Sequence, residues 1–367
     1  MNFMTAAKNR LKQLKTMAFA PGQNSGESQG TPVQILERER VNEPPTETAN
    51  PPENITQNPD SLIIDPLEEF KTNYFAEEPV DLNQFEYFRA GKFPNSGPFP
   101  WLDSPNALAE INQQQESGVL SAEEAEYCRQ WVRDGIIILK GAIDKSFLDR
   151  VWKTYEQKIA EGIVPVQPEK VAEEDPYIGR FLNTHFLVPE INEVLHHETI
   201  LNAIQTLLGR KPKPFQTITS HKGSQQGVHS DSIHMTTYPL GYLVAAWVAF
   251  EDIHPDSGPL VYYPGSHRLP YLFSEDIGID LNDFRERGYL PFHEKYEPAI
   301  QKTIQDHQLV PAYFHAEKGD VLIWHANLLH GGSMRNNLQY SRKAVVCHYF
   351  VEGAVCYHDL SGSRSNL

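Results

Sequence analysis

The stretch GVHSDSIH, Gly227–His234, sets His229 and Asp231 two residues apart. On an extended strand, residues two apart project to the same side, so both can face one ion while Ser230 turns away. A neutral imidazole and a carboxylate suit Fe(II). Two histidines and one carboxylate on one face form the arrangement that leaves coordination positions free for a substrate and O2. By itself an HxD is more often a polar strand edge or a turn, and a metal site needs a third donor from elsewhere.

GDVLIWHANLLHGGS offers His325 and His330. His330 follows the apolar run and precedes two glycines, where the backbone can bring an imidazole into a barrel mouth. His325 alternates with buried positions and reads as a hydrogen-bonded structural histidine. Twelve residues past His330 (342 − 330), Arg342 opens the strand SRKAVVCHYFV. An arginine directed into an apolar barrel is costly unless it meets an anion, and its planar fork accepts a carboxylate through two bonds. A dicarboxylate could satisfy Arg342 with one end and a metal with the other.

The elements that must position these residues are strands. FQTITS, GYLVAAWVAFEDI, GPLVYYPGS, GDVLIWH and SRKAVVCHYFV are separated by Gly, Pro, Asp and Asn turns. Helices precede them. SAEEAEYCRQWVRDG carries a capping box, Ser121 with Glu124, and stops at Gly135, with IIILK reading as a buried strand after it. DKSFLDRVWKTYEQKIAEG and HETILNAIQTLLG are two more helices. The expected class is α+β, with flanking N-terminal helices and a C-terminal barrel or jelly roll.

Residues 1–20 space apolar side chains helically among Lys8, Arg10, Lys12 and Lys15. That pattern permits a weak membrane-surface or protein contact, although a frayed terminal helix is the commoner outcome. Residues 21–60, rich in Pro, Asn, Gln, Ser, Thr and Glu, read as a disordered linker, and 61–120 as a segment wrapping the domain. The formal charge of −16 argues against nucleic acid as a partner. Three cysteines without a CxxC pair point to a reducing compartment. With no secretory signal or spanning run, the expectation is a soluble, cytoplasmic protein.

HSD at His229–Asp231, AAWVAFEDI around Trp247, DSGPLVYYPGSHR at Asp256–Arg268, LHGGS at Leu329–Ser333 and SRKA at Ser341–Ala344 occur in that order. Together they resemble the phytanoyl-CoA dioxygenase family of Fe(II)/2-oxoglutarate-dependent oxygenases, which also includes ectoine hydroxylase. The resemblance extends more loosely back to about Ser121, so that 121–367 would be a double-stranded β-helix (jelly roll, cupin-like) oxygenase domain. It implies His229, Asp231 and His330 as iron ligands, Arg342 on the distal carboxylate of 2-oxoglutarate, and Trp247 lining the cosubstrate pocket. The expected activity is hydroxylation of an aliphatic carbon in a small-molecule metabolite or lipid, using O2 and releasing succinate and CO2. A desaturase, cyclase or epimerase using the same iron chemistry is the nearest alternative, and a non-catalytic jelly-roll metal- or ligand-binding module is another.

One departure stands out. Many members read HGS after the distal histidine and place the arginine one residue closer, so HGGS suggests an insertion. The hydroxyl partner of the 2-oxoglutarate carboxylate is then Ser333, or is missing. His234, three residues past Asp231, falls on the opposite face of a regular strand. PGSHR, with His267 and Arg268, is first a turn. Lys222 and Gln226 could face the site or solvent, and the insertion 274–307 reads as a lid.

Overall fold

The computed structural model describes residues 86–93, 99–165 and 180–364, all within the unit Leu62–Leu367. The expected terminal helix of 1–20 and the linker of 21–60 lie outside the described residues.

The helices are α1 (Ala107–Glu116), α2 (Ala122–Asp134), α3 (Lys145–Ala160), α4 (Pro189–Leu195), α5 (Glu198–Leu208), α6 (Leu281–Arg287) and α7 (Glu297–Asp306). α1 falls inside the stretch read only as wrapping. Its apolar face is reduced to Ala107 and Ile111, too few positions to register as periodicity. α2 begins as its sequence demands: Ser121 Oγ accepts from the Glu124 N–H at 3.2 Å, and Glu124 Oε2 accepts from the Ser121 N–H at 2.9 Å. It ends at Gly135, whose φ is 74°. A Cβ there would also lie 2.4 Å from the His267 ring.

The strands are β1 (Ile136–Leu139), β2 (Arg180–Leu182), β3 (Pro212–Ser220), β4 (Thr236–Tyr238), β5 (Leu243–Ala249), β6 (Leu260–Tyr262), β7 (Ala312–Phe314), β8 (Val321–His325), β9 (His330–Gly332), β10 (Ala344–Val351), β11 (Val355–His358) and β12 (Ser363–Arg364). A six-stranded antiparallel sheet runs β1-β8-β5-β10-β3-β2. A second has β7-β6-β9, and a third has β12-β11-β4. This is the expected jelly roll.

The large sheet separates two cores by strict alternation. Val244, Ala246 and Val248 of β5 face the helices, together with Val345, Cys347 and Tyr349 of β10 and Val321 and Ile323 of β8. Their neighbours Ala245, Trp247, Leu322, Trp324 and Ala344 face inward, against Leu260, Tyr262 and Phe314 of the small sheet. Both faces are apolar, so these strands read as continuous hydrophobic runs. Burial of each Leu, Ile or Val contributes about 1.5–3 kcal/mol. Polar side chains interrupt the inward face at one cleft, where His229, Asp231, His330 and Arg342 gather.

Candidate metal and cosubstrate site

His229 forms a bridge with His330 at the start of β9, each N–H donating to the other's carbonyl at 2.9 Å. This extends the small sheet and brings two imidazoles from distant segments side by side, with ring centroids 4.7 Å apart. The chain then leaves the strand. Asp231–Ile233 is a single 3-10 turn, and the Met235 N–H closes on the Asp231 carbonyl at 2.7 Å. Strand alternation therefore stops at Asp231. His234 does not point away: it is half-buried, with its ring 5.4 Å from that of His229.

His229, Asp231 and His330 are all buried, and one donor atom from each lies within 4.8 Å of the others. Asp231 Oδ1 is 3.9 Å from His229 Nε2 and 3.6 Å from His330 Nε2. The histidines are pinned from behind: Nδ1 of His229 donates to the Gly227 carbonyl at 2.8 Å, and Nδ1 of His330 to the Leu328 carbonyl at 2.9 Å. A proton on each Nδ1 leaves a lone pair on each Nε2, the tautomer that a metal requires. Burial opposes the charge on Asp231, but His330, His348, His229 and the Trp324 indole together outweigh it and hold the carboxyl below its ordinary range. The donor set fits Fe(II).

The three donors stand in a cleft with about 510 Å³ of empty space, counting its open mouth. Arg342 lines it and is buried. Its Nη1 donates to the Gly258 carbonyl at 2.9 Å, its guanidinium lies 5.9 Å from the Trp247 ring, and its Nε has no partner. Among the described residues no carboxylate pairs with it. Burial, and then the charges of Arg180 and Arg335, push its pKa down to about 10. A buried guanidinium without an anion is a binding site for one.

Trp247 lines the same cleft. Ser333 does not. Its hydroxyl donates to the Pro259 carbonyl at 2.7 Å, and Ser220 and Ser224 stand in the cleft instead. HGGS puts no bulge in β9, since His330, Gly331 and Gly332 pair in unbroken register with Tyr262, Val261 and Leu260. Both glycines are required by close approach: a Cβ on Gly331 would lie 2.8 Å from the Gln226 carbonyl, and one on Gly332 2.6 Å from Ser224 Oγ.

Gln226 faces the site, with its amide nitrogen 3.2 Å from His229 Nε2, whereas Lys222 turns to the Leu338 carbonyl. His325 is structural: Nδ1 accepts from the Asn327 N–H at 2.9 Å and Nε2 meets Asp103 at 3.3 Å. The His267 carbonyl accepts from Asn327 and supports the same turn. The insertion read as a lid packs against the back of the HSD turn. The Tyr296 hydroxyl accepts from the Ser230 N–H at 3.1 Å, and Phe292, Tyr296 and Ile300 share a core with Ile233 and Leu329.

Arg180, Trp324 and His348 line the cleft and are absent from the set that the sequence singles out. Arg180 stands on edge strand β2 with its guanidinium turned inward and hydrogen-bonded to Gln226. Its approach depends on β2 pairing with β3, which no local pattern announces. Trp324 and His348 were detectable, because period-2 counting along β8 and β10 puts them on the inward face with Leu322 and Val346. His348 Nε2 lies 4.0 Å from Asp231 Oδ2, and its Nδ1 has no partner.

This burial of imidazoles makes stability depend on pH. Desolvation lowers His229 and His267 to about 3 and His348 to about 4, from an ordinary 6.5. Between those limits the unfolded chain binds protons that the fold refuses, so stability is full above about pH 7 and falls as pH drops toward 4. Denaturant titration of metal-free protein should show a loss of a few kcal/mol between pH 7.5 and pH 5. A flat profile would mean that these rings are hydrated.

A family model described as phytanoyl-CoA dioxygenase (PhyH) matches residues 118–344, more than half of the chain. The peroxisomal phytanoyl-CoA dioxygenase of Bos taurus is 27% identical over 293 residues, covering 71% of this chain and 79% of the relative. Phytanoyl-CoA dioxygenase domain-containing protein 1 of Danio rerio is 27% identical over 254 residues, covering 67% and 83%. Among solved structures, the non-heme alpha ketoglutarate dependent carbocyclase SnoK from nogalamycin biosynthesis superposes with a TM-score of 0.50 at 17% identity. It covers 66% of this chain and 88% of its own, a likeness of fold alone. With the family model spanning helices α2 to α7, the HSD turn, β9 and the start of β10, the chain belongs to the phytanoyl-CoA dioxygenase family.

Proposed function

We propose that His229, Asp231 and His330 hold the Fe(II) of this 2-oxoglutarate-dependent dioxygenase, and that Arg342, backed by Trp247, receives the distal carboxylate of the cosubstrate. The observation that carries this reading is the convergence in one cleft of three buried donors and a buried arginine lacking an anion. When bound, iron with 2-oxoglutarate and O2 supplies the oxidation, one oxygen atom going to the substrate and the other to succinate as CO2 leaves. The protein's part is to present two imidazole lone pairs and one carboxylate, to clamp the cosubstrate, and to keep the cleft dry. The reaction we assign is hydroxylation of an aliphatic carbon in a small molecule.

Among the described residues no helix is long and apolar enough to cross a membrane. Three free, buried cysteines support a reducing compartment, and we place the chain in the cytoplasm on that basis. A membrane or protein contact through 1–20 rests on its basic amphipathic spacing alone.

Anaerobic addition of Fe(II) and 2-oxoglutarate should produce a weak visible charge-transfer band that 2-oxoglutarate alone does not give. Protein that binds no iron and shows no band would overturn the assignment.

A further inference from the structure

We infer that Trp324 is a positioning residue for the metal-binding carboxylate, its indole N–H holding one oxygen of Asp231 so that only the other faces the two histidines. The inference rests on the assignment of His229, Asp231 and His330 as metal ligands.

Trp324 Nε1 donates to Asp231 Oδ2 at 2.8 Å, and both residues are buried. It is the one hydrogen bond made by this carboxylate among the described residues; His348, at 4.0 Å from the same oxygen, is too far to make a second. The torsion that turns an aspartate carboxylate is broad and nearly two-fold, so the side chain has no preference of its own for which oxygen points where. The indole removes that symmetry. A carboxylate presenting both oxygens to the metal would occupy a position that O2 or the cosubstrate needs.

The fold makes room for this contact. Trp324 sits on the inward face of β8, and its partner on β5 is Ala245, whose methyl leaves space for an indole. The same ring lies against His330, centroids 4.7 Å apart at 48°, so one side chain braces two of the three donors.

Mn(II) is the probe, added to the full chain with saturating 2-oxoglutarate and followed by the signal of the free ion. Trp324→Phe keeps an aromatic ring and removes the N–H. It should weaken Mn(II) roughly 10- to 100-fold, the range expected for loss of an outer hydrogen bond to a ligand. In an Asp231→Ala background the same substitution should change Mn(II) affinity less than about 2-fold, because the group through which Trp324 acts is gone. Equal Mn(II) affinity in wild type and Trp324→Phe, or the same drop in both backgrounds, would overturn the inference. The melting temperature of metal-free Trp324→Phe reports packing separately, and Trp324→Leu serves if the phenylalanine variant fails to fold. No Mn(II) binding by the wild-type chain would overturn the ligand assignment, and this inference with it.

Discussion

Arg342→Ala should weaken 2-oxoglutarate by about two to three and a half orders of magnitude while changing Fe(II) affinity by less than about 3-fold. Breaking a buried charge pair by removing one partner costs about 3–5 kcal/mol, and each 1.4 kcal/mol is a factor of ten. The effect is selective because Arg342 contributes no donor to the metal: its guanidinium bonds to the Gly258 carbonyl instead. Arg342→Lys should fall between, since an ammonium keeps the charge but not the two-pronged geometry. Without cosubstrate the alanine variant should melt no lower than wild type, because an uncompensated buried guanidinium has been removed. Titration of the charge-transfer band with 2-oxoglutarate, beside metal binding, checks both parts. Parallel losses of iron and cosubstrate would mean that Arg342 supports the fold rather than the anion.

Asp231→Gly should abolish 2-oxoglutarate turnover and weaken iron by at least about 10- to 100-fold. It removes the only anionic donor of the three, and it strands the Trp324 indole N–H that now donates to it. Succinate release and metal affinity are the measurements. With the carboxylate in place, no position is left for chloride in its stead, so the native chain should yield no chlorinated product once a substrate is in hand. Chlorination by the unmodified chain, or full turnover by Asp231→Gly, would remove Asp231 from the metal.

The strands that carry these residues were legible because both faces of the large sheet are buried. Val244–Val248, Val321–Ile323 and Val345–Val351 are largely apolar runs bounded by turn residues, and no helical spacing competes with them. β2, β4, β7 and β12, of two or three residues each, were not legible, because so short a strand has no period to detect and exists only through its partner. α1 was missed for the same reason, with two buried positions in ten residues.

What the sequence determined by itself was the chemistry available: which donors exist, that one arginine opens a buried strand, and that His229, Asp231, His330 and Arg342 follow the order of a known family. Their types and spacing are local facts. Only the tertiary structure decided how they meet. His229 reaches His330 through a bridge across 101 residues of chain (330 − 229), and Asp231 turns toward both because the chain leaves the strand in a 3-10 turn. That turn brings His234 back beside His229, and the Pro259 carbonyl draws Ser333 away from the cleft. Trp324 finds Asp231 because Ala245 opposite it leaves the space. Most of these contacts join positions far apart in the chain, and their geometry is set by sheet register, which no window of sequence contains.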